Sequence, residues 1–423
     1  MTAKLIILNP TSDAVYLDNK GQLPRAPLPR DQAEVAGIVQ FAEKQLGLEI
    51  VVLACLQYNR GNEALYLCGV LDEPEKTGWW HPLASLPPAD LAKVNKWRDN
   101  QNPLRAPWAN LQWHRDVRQW LEEKLPHIGF FLQGKIRQFH CWEISCILKV
   151  PTNSGLLYLK ALPPIFASEP GLVQWLTQIA PGQVPDIVAT DSRKRWFVTR
   201  DFGGFNLGES EDYQLWQQAI AAYSRLQIKT VTQAKELLSL GCLDRRLPQL
   251  MNHCRQLADY LGNSPEKETG ISREQSRNWQ QALPRLEGMA EQLAALDIPY
   301  ALEHGDLHCG NIQVTDTGFV FFDWTDGSLA HPFFSLDPFL KEGPQNPPIR
   351  SGLIRAYLDV WKEHLPGVDC AKAFELSRVL ALAHQTWSYH LITRSVEPAA
   401  GLSGVLSSVL GKTLKAVEEC DHQ

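Results

Sequence analysis

The sequence predicts an α+β protein in which a strand-rich region precedes a helix-rich region. Before about residue 200, short apolar runs alternate with turn residues at intervals typical of strands. After that point, apolar residues recur at the three- and four-residue intervals of amphipathic helices. The chain has 423 residues, and at about 150 residues per domain this length gives roughly three domain-sized units.

Composition excludes several classes of protein. The chain has 44% hydrophobic residues, 21% charged residues and a formal net charge of −6, so nucleic acid is not the expected partner, because its phosphates require a basic surface. The longest apolar runs, such as 5–8, are too short to span a bilayer, and we expect no membrane partner. The 9 cysteines form no CxxC pair, which favours a reducing, cytoplasmic location over a disulfide framework.

The first predicted domain is a small α+β region over residues 1–104. A helix is predicted over 33–46, where apolar residues recur at helical spacing and Gly47 provides a normal C-terminal signal. The proline-rich segment 82–107 indicates a boundary or linker, although 91–97 could form a short helix. Strands are predicted at 5–8, 14–17, 50–55 and 64–69.

The second predicted domain, residues 105–205, begins with a helix that carries Trp113 and Trp120 and continues as a sheet. The turn 151–155 between two apolar runs is typical of a hairpin. The domain ends at a Gly-Gly loop, 201–204, that could act as a hinge. Its strands are predicted at 135–140, 144–150, 156–162, 186–189 and 196–199, with a helix at 170–179.

The third predicted domain, residues 206–423, is helical. A short strand pair, 311–314 and 319–322, interrupts the helices. Pro284 is expected to kink or split the helix that contains it. Helices are predicted at 213–226, 231–240, 246–261 and 273–296, and again from 349 to the end.

The most informative stretch is His304-Gly-Asp-Leu-His-Cys-Gly-Asn311, followed by Phe321-Phe-Asp-Trp324. Asp306 and Asn311 lie on one tight loop, and the following hairpin returns Asp323 to the same place. Carboxylate and amide oxygens are the ligands that suit Mg²⁺. A competing structural interpretation is an Asn/Asp turn before a buried hairpin.

This ordered pattern resembles the catalytic loop of kinases, H-x-D-L-x-x-x-N followed by a metal-binding Asp. The glycine after His304 and the tryptophan after Asp323 are similar to the aminoglycoside phosphotransferase and choline kinase branch. The resemblance covers about residues 105–423. It implies a two-lobed, protein-kinase-like fold with a β-rich N-lobe and a helical C-lobe, ATP and Mg²⁺ as cofactors, and a small-molecule hydroxyl as phosphoryl acceptor.

The same resemblance implies roles for individual residues. Asp306 would accept the proton of the acceptor hydroxyl, while Asn311 and Asp323 would hold Mg²⁺. Lys160 would contact the α and β phosphates, and Glu169 would be its ion-pair partner. The alternatives are an exposed lysine at a strand end and an acid that favours a helix N-terminus.

Further nucleotide contacts are implied near the hinge and the first hairpin. Arg200 and Phe202 lie in the segment where the backbone would meet the adenine edge. The kinase glycine-rich loop is absent, because no glycine occurs between 135 and 154. Phosphate contact would then depend on backbone amides or on Ser145.

The first domain resembles a Nudix fold only faintly. Aligned on Gly47, none of the residues of the Nudix box that would bind a metal is retained, so pyrophosphohydrolase chemistry is not expected. An unrelated small α+β domain is an equally good interpretation, and a scaffolding, regulatory or substrate-covering role is favoured. The positions of the box arginine and glutamates are Gln40, Phe41, Lys44 and Gln45.

The leading hypothesis is therefore a small-molecule kinase. A catalytically weak or inactive nucleotide-binding module, a pseudokinase, is the alternative favoured by the missing glycine-rich loop. A Nudix-type hydrolase is the third hypothesis, and the absent glutamates argue against it. The sequence leaves open the acceptor, the preference for ATP or GTP, and the oligomeric state.

Overall fold

A computed structural model describes residues 2–420, except positions 12, 29–33, 59–62, 72–78, 399–401 and 403. The chain divides into two compact units. The first consists of Met1–Pro164, Val188–Asp201 and Arg394–Leu402, and the second of Ile165–Ile187, Phe202–Thr393 and Ser403–Gln423. The predicted domains 1–104 and 105–205 fall mostly in the first unit and 206–423 mostly in the second, and their boundaries stay predictions.

The first unit begins with a 6-stranded sheet. Its strands are β1 (Thr2–Leu8), β2 (Ala14–Tyr16), β3 (Arg25–Pro27), β4 (Ile50–Tyr58), β5 (Glu63–Val70) and β6 (Trp80–Pro82). The order is β4-β5-β1-β2-β6, with β3 also paired to β1. The four predicted strands are present, and β4 lies at one edge of the sheet.

Two helices cover the two faces of this sheet. Helix α1 (Glu34–Phe41) continues into a π-helical turn (Ala42–Leu46) and stops at Gly47, whose φ is 68°. It packs with Leu5 and Ile7, while helix α2 (Pro88–Asp99) lies on the opposite side with Val94 against Ile6. The segment predicted as a boundary or linker thus contains a packed helix of 12 residues, longer than the short one that the sequence allowed.

The first unit also contains a 5-stranded sheet in the order β10-β11-β9-β8-β7. Its strands are β7 (Arg137–Trp142), β8 (Ser145–Thr152), β9 (Gly155–Ala161), β10 (Ile187–Asp191) and β11 (Trp196–Arg200). Helix α3 (Leu111–Lys124) covers one face, where Trp113, Trp120 and Trp196 pack with Leu148 and Leu157. The predicted hairpin is confirmed, since Thr152 pairs with Gly155 across the turn.

The two sheets of the first unit meet at the edge strands β4 and β7. The Gln138 side chain accepts a hydrogen bond from the Val52 N–H at 2.6 Å and donates to the Val52 carbonyl at 3.0 Å. Gln138 is only 3% exposed. The amide therefore replaces a neighbouring strand at this position of β4, because it satisfies the hydrogen bonds of the buried N–H and C=O of Val52.

The second unit is mainly helical. Its helices are α4 (Glu169–Ile179), α5 (Tyr213–Thr230), α6 (Ala234–Ser239), α7 (Leu247–Asn263), α8 (Glu266–Thr269), α9 (Arg273–Ala294), α10 (Leu336–Glu342), α11 (Pro347–His364), α12 (Cys370–Ser395) and α13 (Val405–Glu419). The Trp279 Nε1 donates to the Cys254 carbonyl at 3.0 Å and joins α9 to α7. Contrary to the expected split, α9 runs through Pro284 as one helix.

Two 3-stranded sheets lie among these helices. One has the order β12-β15-β16, from β12 (Phe205–Asn206), β15 (Ile312–Thr315) and β16 (Gly318–Phe321). The other has the order β13-β17-β14, from β13 (Leu243–Asp244), β14 (Ala301–Glu303) and β17 (Ser328–Ala330). The predicted strand pair is confirmed as β15 and β16.

One disulfide joins Cys141 to Cys146 across β7 and β8. The sequence did not predict it, because two cysteines five positions apart give no local sign that they face each other across a hairpin. No second disulfide is formed in the part of the chain that the structure describes. Within the described residues, no helix has the length and apolar character needed to cross a membrane.

Gly203 and Gly204 give a stability prediction with an internal control. Both have positive φ, 67° and 69°, but a Cβ on Gly203 would meet open space, whereas one on Gly204 would lie 1.8 Å from the Val314 carbonyl oxygen. We expect Gly203→Ala to cost about 1–2 kcal/mol from the left-handed backbone alone. Gly204→Ala must also displace the backbone of β15 at Val314. We therefore expect it to lower the thermal midpoint of unfolding, measured by calorimetry, by more than Gly203→Ala does. Equal midpoints for the two variants would contradict this.

Candidate active site

The candidate catalytic loop, 304–311, connects β14 to β15. Gly305 has a φ of 84°, and a Cβ there would lie 2.3 Å from the Asp326 Cβ, so the turn requires glycine. Leu307 is fully buried and anchors the loop, whereas the Asp306 side chain is 53% exposed. The loop is thus anchored by a buried leucine and exposes the Asp306 carboxylate to solvent.

His304 braces this loop. Its Nε2 lies 3.0 Å from the Phe322 carbonyl oxygen, and its Nδ1 accepts the Asp306 N–H at 3.4 Å. Burial lowers the pKa of His304 to about 4. The ring is therefore neutral at pH 7, with its proton on Nε2 donated to Phe322, and it positions Asp306 without titrating.

Asn311 is placed by the same loop. It is 6% exposed, and its Nδ2 donates to the Asp306 carbonyl at 2.9 Å. This bond fixes the amide orientation and leaves Oδ1 as the available ligand atom. The Phe322 N–H donates to the Asn311 carbonyl at 3.1 Å, which brings the residue before Asp323 against the loop.

Asp323 follows β16 in a left-handed backbone conformation, with a φ of 65°. Its Oδ1 accepts from the Thr325 hydroxyl at 3.1 Å. The next residue, Trp324, donates its N–H to Glu169 Oε1 at 3.0 Å. Glu169, at the start of α4, is 1% exposed. Its carboxylate thus holds the backbone beside Asp323, and its predicted pairing with Lys160 stays a prediction.

The oxygen atoms of Asn311 and Asp323 fit Mg²⁺. Within the described ranges, no group of three or more His, Cys, Asp or Glu side chains is arranged to hold a metal. A cation here would therefore take one carboxylate and one amide oxygen from the chain, and its other positions would be filled by water and phosphate. That is the incomplete protein shell that Mg²⁺ usually has beside phosphates.

Sequence reasoning missed the side chains that surround Asp306. The His308 Nε2 lies 3.6 Å from Asp306 Oδ2, and its Nδ1 lies 3.5 Å from Glu342 Oε2, at the end of α10. Burial, together with the charges of Asp306, Asp326 and Glu342, raises the pKa of Tyr389 on α12 to about 12. Glu342 and Tyr389 lie far along the chain from the motif, and no sequence signal links them to it.

A buried charge network lies beneath the loop. Arg245 is 1% exposed and donates through Nη1 to the Ser388 hydroxyl and to His384 Nε2. Burial raises the pKa of Glu303 to about 7 and that of Asp326 to about 6, and Arg245 opposes both shifts. Asp326 is partly buried, and Gly305 leaves room for its side chain to pack under the loop.

Lys160 and Ser145 belong to the first unit. Lys160 is 8% exposed on β9, on the same face as Tyr158, with Nζ 6.0 Å from the centre of the Phe197 ring. The alternative of an exposed strand-end lysine is therefore wrong. Ser145 is 7% exposed, and its hydroxyl accepts from Trp142 Nε1 at 3.1 Å. Their contacts with phosphate stay predictions.

Arg200 and Phe202 lie on either side of the division between the units. The Arg200 guanidinium lies 4.9 Å from the centre of the Phe130 ring, within the first unit. The Phe202 ring lies 5.3 Å from that of Phe322, within the second. Phe202 is thus next to the strand end that carries Asp323, and the nucleotide contacts of both residues stay predictions.

One protein-family model matches part of the chain. Residues 158–368 match the family described as Phosphotransferase enzyme family. That range contains Lys160, Asp306, Asn311 and Asp323. A comparison with curated protein sequences gives no match.

Solved structures share the fold at low sequence identity. A choline kinase from Cryptosporidium parvum is 12% identical, covering 73% of this chain and 97% of its own, with a TM-score of 0.52. An ethanolamine kinase from Plasmodium vivax is 11% identical, covering 73% and 91%, with a TM-score of 0.51. An ADP-bound aminoglycoside phosphotransferase, APH(2'')-Ib, is 12% identical, covering 71% and 98%, with a TM-score of 0.50.

These likenesses show the fold. The chain has a kinase-like phosphotransferase fold of the α+β class with sheet-rich and helical parts. The predicted resemblance to aminoglycoside phosphotransferases and choline kinases is confirmed at this level. The faint Nudix likeness of residues 1–104 stays a prediction.

Proposed function

We propose that this protein is an ATP-dependent phosphotransferase that transfers the γ-phosphoryl group to a hydroxyl of a small molecule. The observation that carries the proposal is the catalytic loop itself. It presents the exposed Asp306 carboxylate beside the Asn311 amide and the returning Asp323. The match of the surrounding segment to a phosphotransferase family supports this interpretation.

In this proposal, each residue acts through position and charge, because phosphoryl transfer needs alignment and charge neutralisation more than covalent catalysis. Asp306 accepts the proton of the acceptor hydroxyl on its carboxylate. His304 keeps that carboxylate in place through the backbone of the loop. Mg²⁺, held by Asn311 and Asp323, would neutralise charge on the phosphates.

The nucleotide contacts of the proposal come from the sequence resemblance. Lys160 would contact the α and β phosphates, and its burial in the sheet supports a role other than that of a surface lysine. Arg200, Phe202 and Ser145 would lie near the nucleotide, and Glu169 would support Lys160. The observed bond from Trp324 to Glu169 gives this glutamate a second role, that of holding the segment next to Asp323.

The acceptor is best described as a small alcohol that carries a positive charge. Burial and the charges of Asp306, Asp326 and Glu342 together raise the pKa of Tyr389. His308, whose pKa is raised to about 10, and Arg245 offset part of this charge, and the acidic groups still outnumber them around the candidate base. Such a field attracts cations and raises their local concentration. The choline and ethanolamine kinases among the structural neighbours are compatible with this class of acceptor.

The second candidate is a nucleotide-binding regulatory module. Glu143 lies at the tip of the β7–β8 hairpin, where kinases carry their glycine-rich loop. No glycine occurs between 135 and 154, so this hairpin lacks the residue that lets a backbone approach phosphates closely. This observation, together with the engaged hydroxyl of Ser145, is what favours weak or absent catalysis.

The test is phosphorylation of a panel of amino alcohols and neutral alcohols by the full chain with ATP and Mg²⁺, with the phosphate ester detected by mass spectrometry. We expect ester from at least one cationic alcohol. Asp323→Asn is expected to raise the Mg²⁺ concentration for half-maximal rate by at least about tenfold, since even outer-shell changes at metal sites cost about 10–100-fold. Asp316→Asn, at the exposed turn of the β15–β16 hairpin, is the matched control.

Two outcomes separate the candidate functions. If ATP and Mg²⁺ raise the melting temperature but no alcohol yields an ester, the regulatory module is favoured over the kinase. If Asp323→Asn and Asp316→Asn need the same Mg²⁺ concentration, the assignment of Asp323 as a ligand is wrong.

A further inference from the structure

A cavity of about 690 Å³ lies in the first unit, between the free edge of β4 and the tip of the β7–β8 hairpin. Its walls include the β4 segment 52–58, the rings of Trp97, Trp108 and Trp142, and the carboxylates of Glu143 and Glu397. We refer to it as the β4–β7 cavity. None of the residues to which we give a role in phosphoryl transfer lines it.

The size and the walls of this cavity are those of a small-molecule site. Ligand pockets typically occupy about 300–1,000 Å³ and combine apolar rings with a few polar groups. Gln138 on β7 joins the edge of β4 at Val52. Beyond this contact β4 and β7 are the edges of two different sheets and do not pair with each other, which leaves space for the cavity.

The aromatic rings are held in place by their own hydrogen bonds and contacts. Trp108 is 4% exposed and donates from Nε1 to the Trp142 carbonyl at 2.8 Å. Trp142 is 39% exposed, and its Nε1 bond to Ser145 fixes the orientation of the ring. The Trp97 ring carries the Arg105 guanidinium 4.9 Å from its centre. Because the rings are already held in place, ligand binding would cost little side-chain conformational entropy.

The two carboxylates of the cavity differ in their partners. Glu397 has a cationic partner, because it accepts from Arg105 Nε at 3.3 Å, and it also accepts from Asn100 Nδ2 at 2.5 Å. Glu143 accepts a hydrogen bond from its own backbone, and in the part of the chain that the structure describes no cationic side chain pairs with it. Burial raises the pKa of Glu143, and the charge of Glu397 adds to the shift.

Glu143 is half-buried and lines the same cavity as three tryptophan rings, and within the described residues it has no cationic partner. Such a site is suited to a positive ligand. A bare metal ion does not fit, because among the described residues no group of three or more His, Cys, Asp or Glu side chains is arranged to hold one. An organic ammonium does fit, because its charge is attracted to the faces of Trp rings and to the carboxylate, while its carbon atoms replace water in the cavity. We infer that the β4–β7 cavity is a binding site for a small organic cation, an amine or a quaternary ammonium compound.

The site is independent of the proposed phosphotransferase activity. Its ligand is bound by the first unit through Glu143 and the tryptophans, and the proposed chemistry at Asp306 can fail without affecting it. Conversely, an active phosphotransferase does not require this cavity to be filled.

The test is isothermal titration calorimetry of the full chain with tetramethylammonium chloride and, separately, n-butylammonium chloride. We expect saturable binding of at least one of the two cations and none of tert-butanol, a neutral molecule similar in shape to tetramethylammonium. Glu143→Gln keeps the shape of the side chain and removes its charge, and it is expected to weaken binding at least about tenfold, the equivalent of about 1.4 kcal/mol. Trp142→Ala is expected to weaken it as well, through loss of a ring.

The control variants locate the site. Glu122→Gln, on the exposed face of α3, should bind like the wild type. Asp306→Asn should also bind like the wild type, because the cavity is separate from the candidate catalytic loop. The inference is overturned if neither cation binds, if Glu143→Gln binds as tightly as the wild type, or if Asp306→Asn abolishes binding. Circular dichroism of each variant verifies its fold, and a folded Trp142→Ala variant provides a second readout if Glu143→Gln does not fold.

Discussion

Asp306→Asn lowers the kcat for phosphoryl transfer to an alcohol by about 10²–10⁴-fold, the usual range for removal of a general base. Asparagine has nearly the same shape, but its amide cannot accept the hydroxyl proton. The main-chain bonds of the loop, from the Asp306 N–H to His304 and from Asn311 to the Asp306 carbonyl, do not involve the replaced group. The substitution should therefore slow the chemical step without disturbing the fold of the loop.

Kinetic and binding measurements separate these effects. Steady-state rates with the acceptor found by the panel give kcat, and calorimetry with ATP and Mg²⁺ gives nucleotide affinity, which we expect to change little. A thermal midpoint equal to that of the wild type would show that the loop is intact. An unchanged kcat would remove Asp306 from the mechanism and leave the phosphotransferase without a base.

Arg245→Met destabilises the second unit by about 3–5 kcal/mol, the range found when one partner of a buried ion pair is removed. The arginine is 1% exposed, and the nearby carboxylates of Asp326 and Glu303 favour its charged form. Methionine replaces the aliphatic part of the side chain but leaves both acids without a compensating charge. Thermal unfolding should therefore show a large fall in the midpoint.

The neighbouring residue is the matched control. Arg246 pairs with Asp244 at 2.7 Å in a partly exposed position, and Arg246→Met is expected to cost about 0–1 kcal/mol, as surface pairs do. If the two variants unfold at the same temperature, the buried network does not stabilise the unit as described.

The cost of Arg245→Met also depends on pH. The pKa of Glu303 is about 7 and that of Asp326 about 6, both above their ordinary values, so the folded state binds more protons than the unfolded state in this range. The stability that comes from protonating them is present at low pH and is lost as the pH rises through these values. Without Arg245 their ionised forms are still less favourable, and the destabilisation should be larger at pH 8 than at pH 5.

The centre of the candidate site could be predicted because its members are close along the chain. Asp306 and Asn311 share one loop, and a four-residue strand on each side of a turn returns the chain to Asp323. Local pattern alone is enough to bring such residues together. Glu342 and Tyr389 lie on helices that are distant in sequence from the motif. Their position near Asp306 depends on the tertiary packing of the whole unit, which no local sequence pattern predicts.

Short and irregular elements were harder to predict than long ones. Strands such as β12 and β13 contain two residues each, too few for an alternating pattern to be recognised. Helix α2 begins at the second of two prolines and has a weak apolar stripe, so its sequence is typical of a linker although Val94 is fully buried. The position of Asp326 depends on the missing side chain of Gly305, a contact that becomes visible only in three dimensions.

The Gln138 amide that closes the edge of β4 has a consequence for how this protein can be divided. An exposed strand edge invites pairing with other chains, and proteins usually protect it. Here the protection is mutual, because β7 supplies the amide that satisfies Val52, and Arg137 next to it pairs with Glu43 from the α1 region. Separating the two sheets would expose the edge of β4 on one piece and the edge of β7 on the other, and exposed strand edges promote aggregation. We therefore expect the N-terminal sheet and the sheet that carries Lys160 to fold stably only when they are produced together.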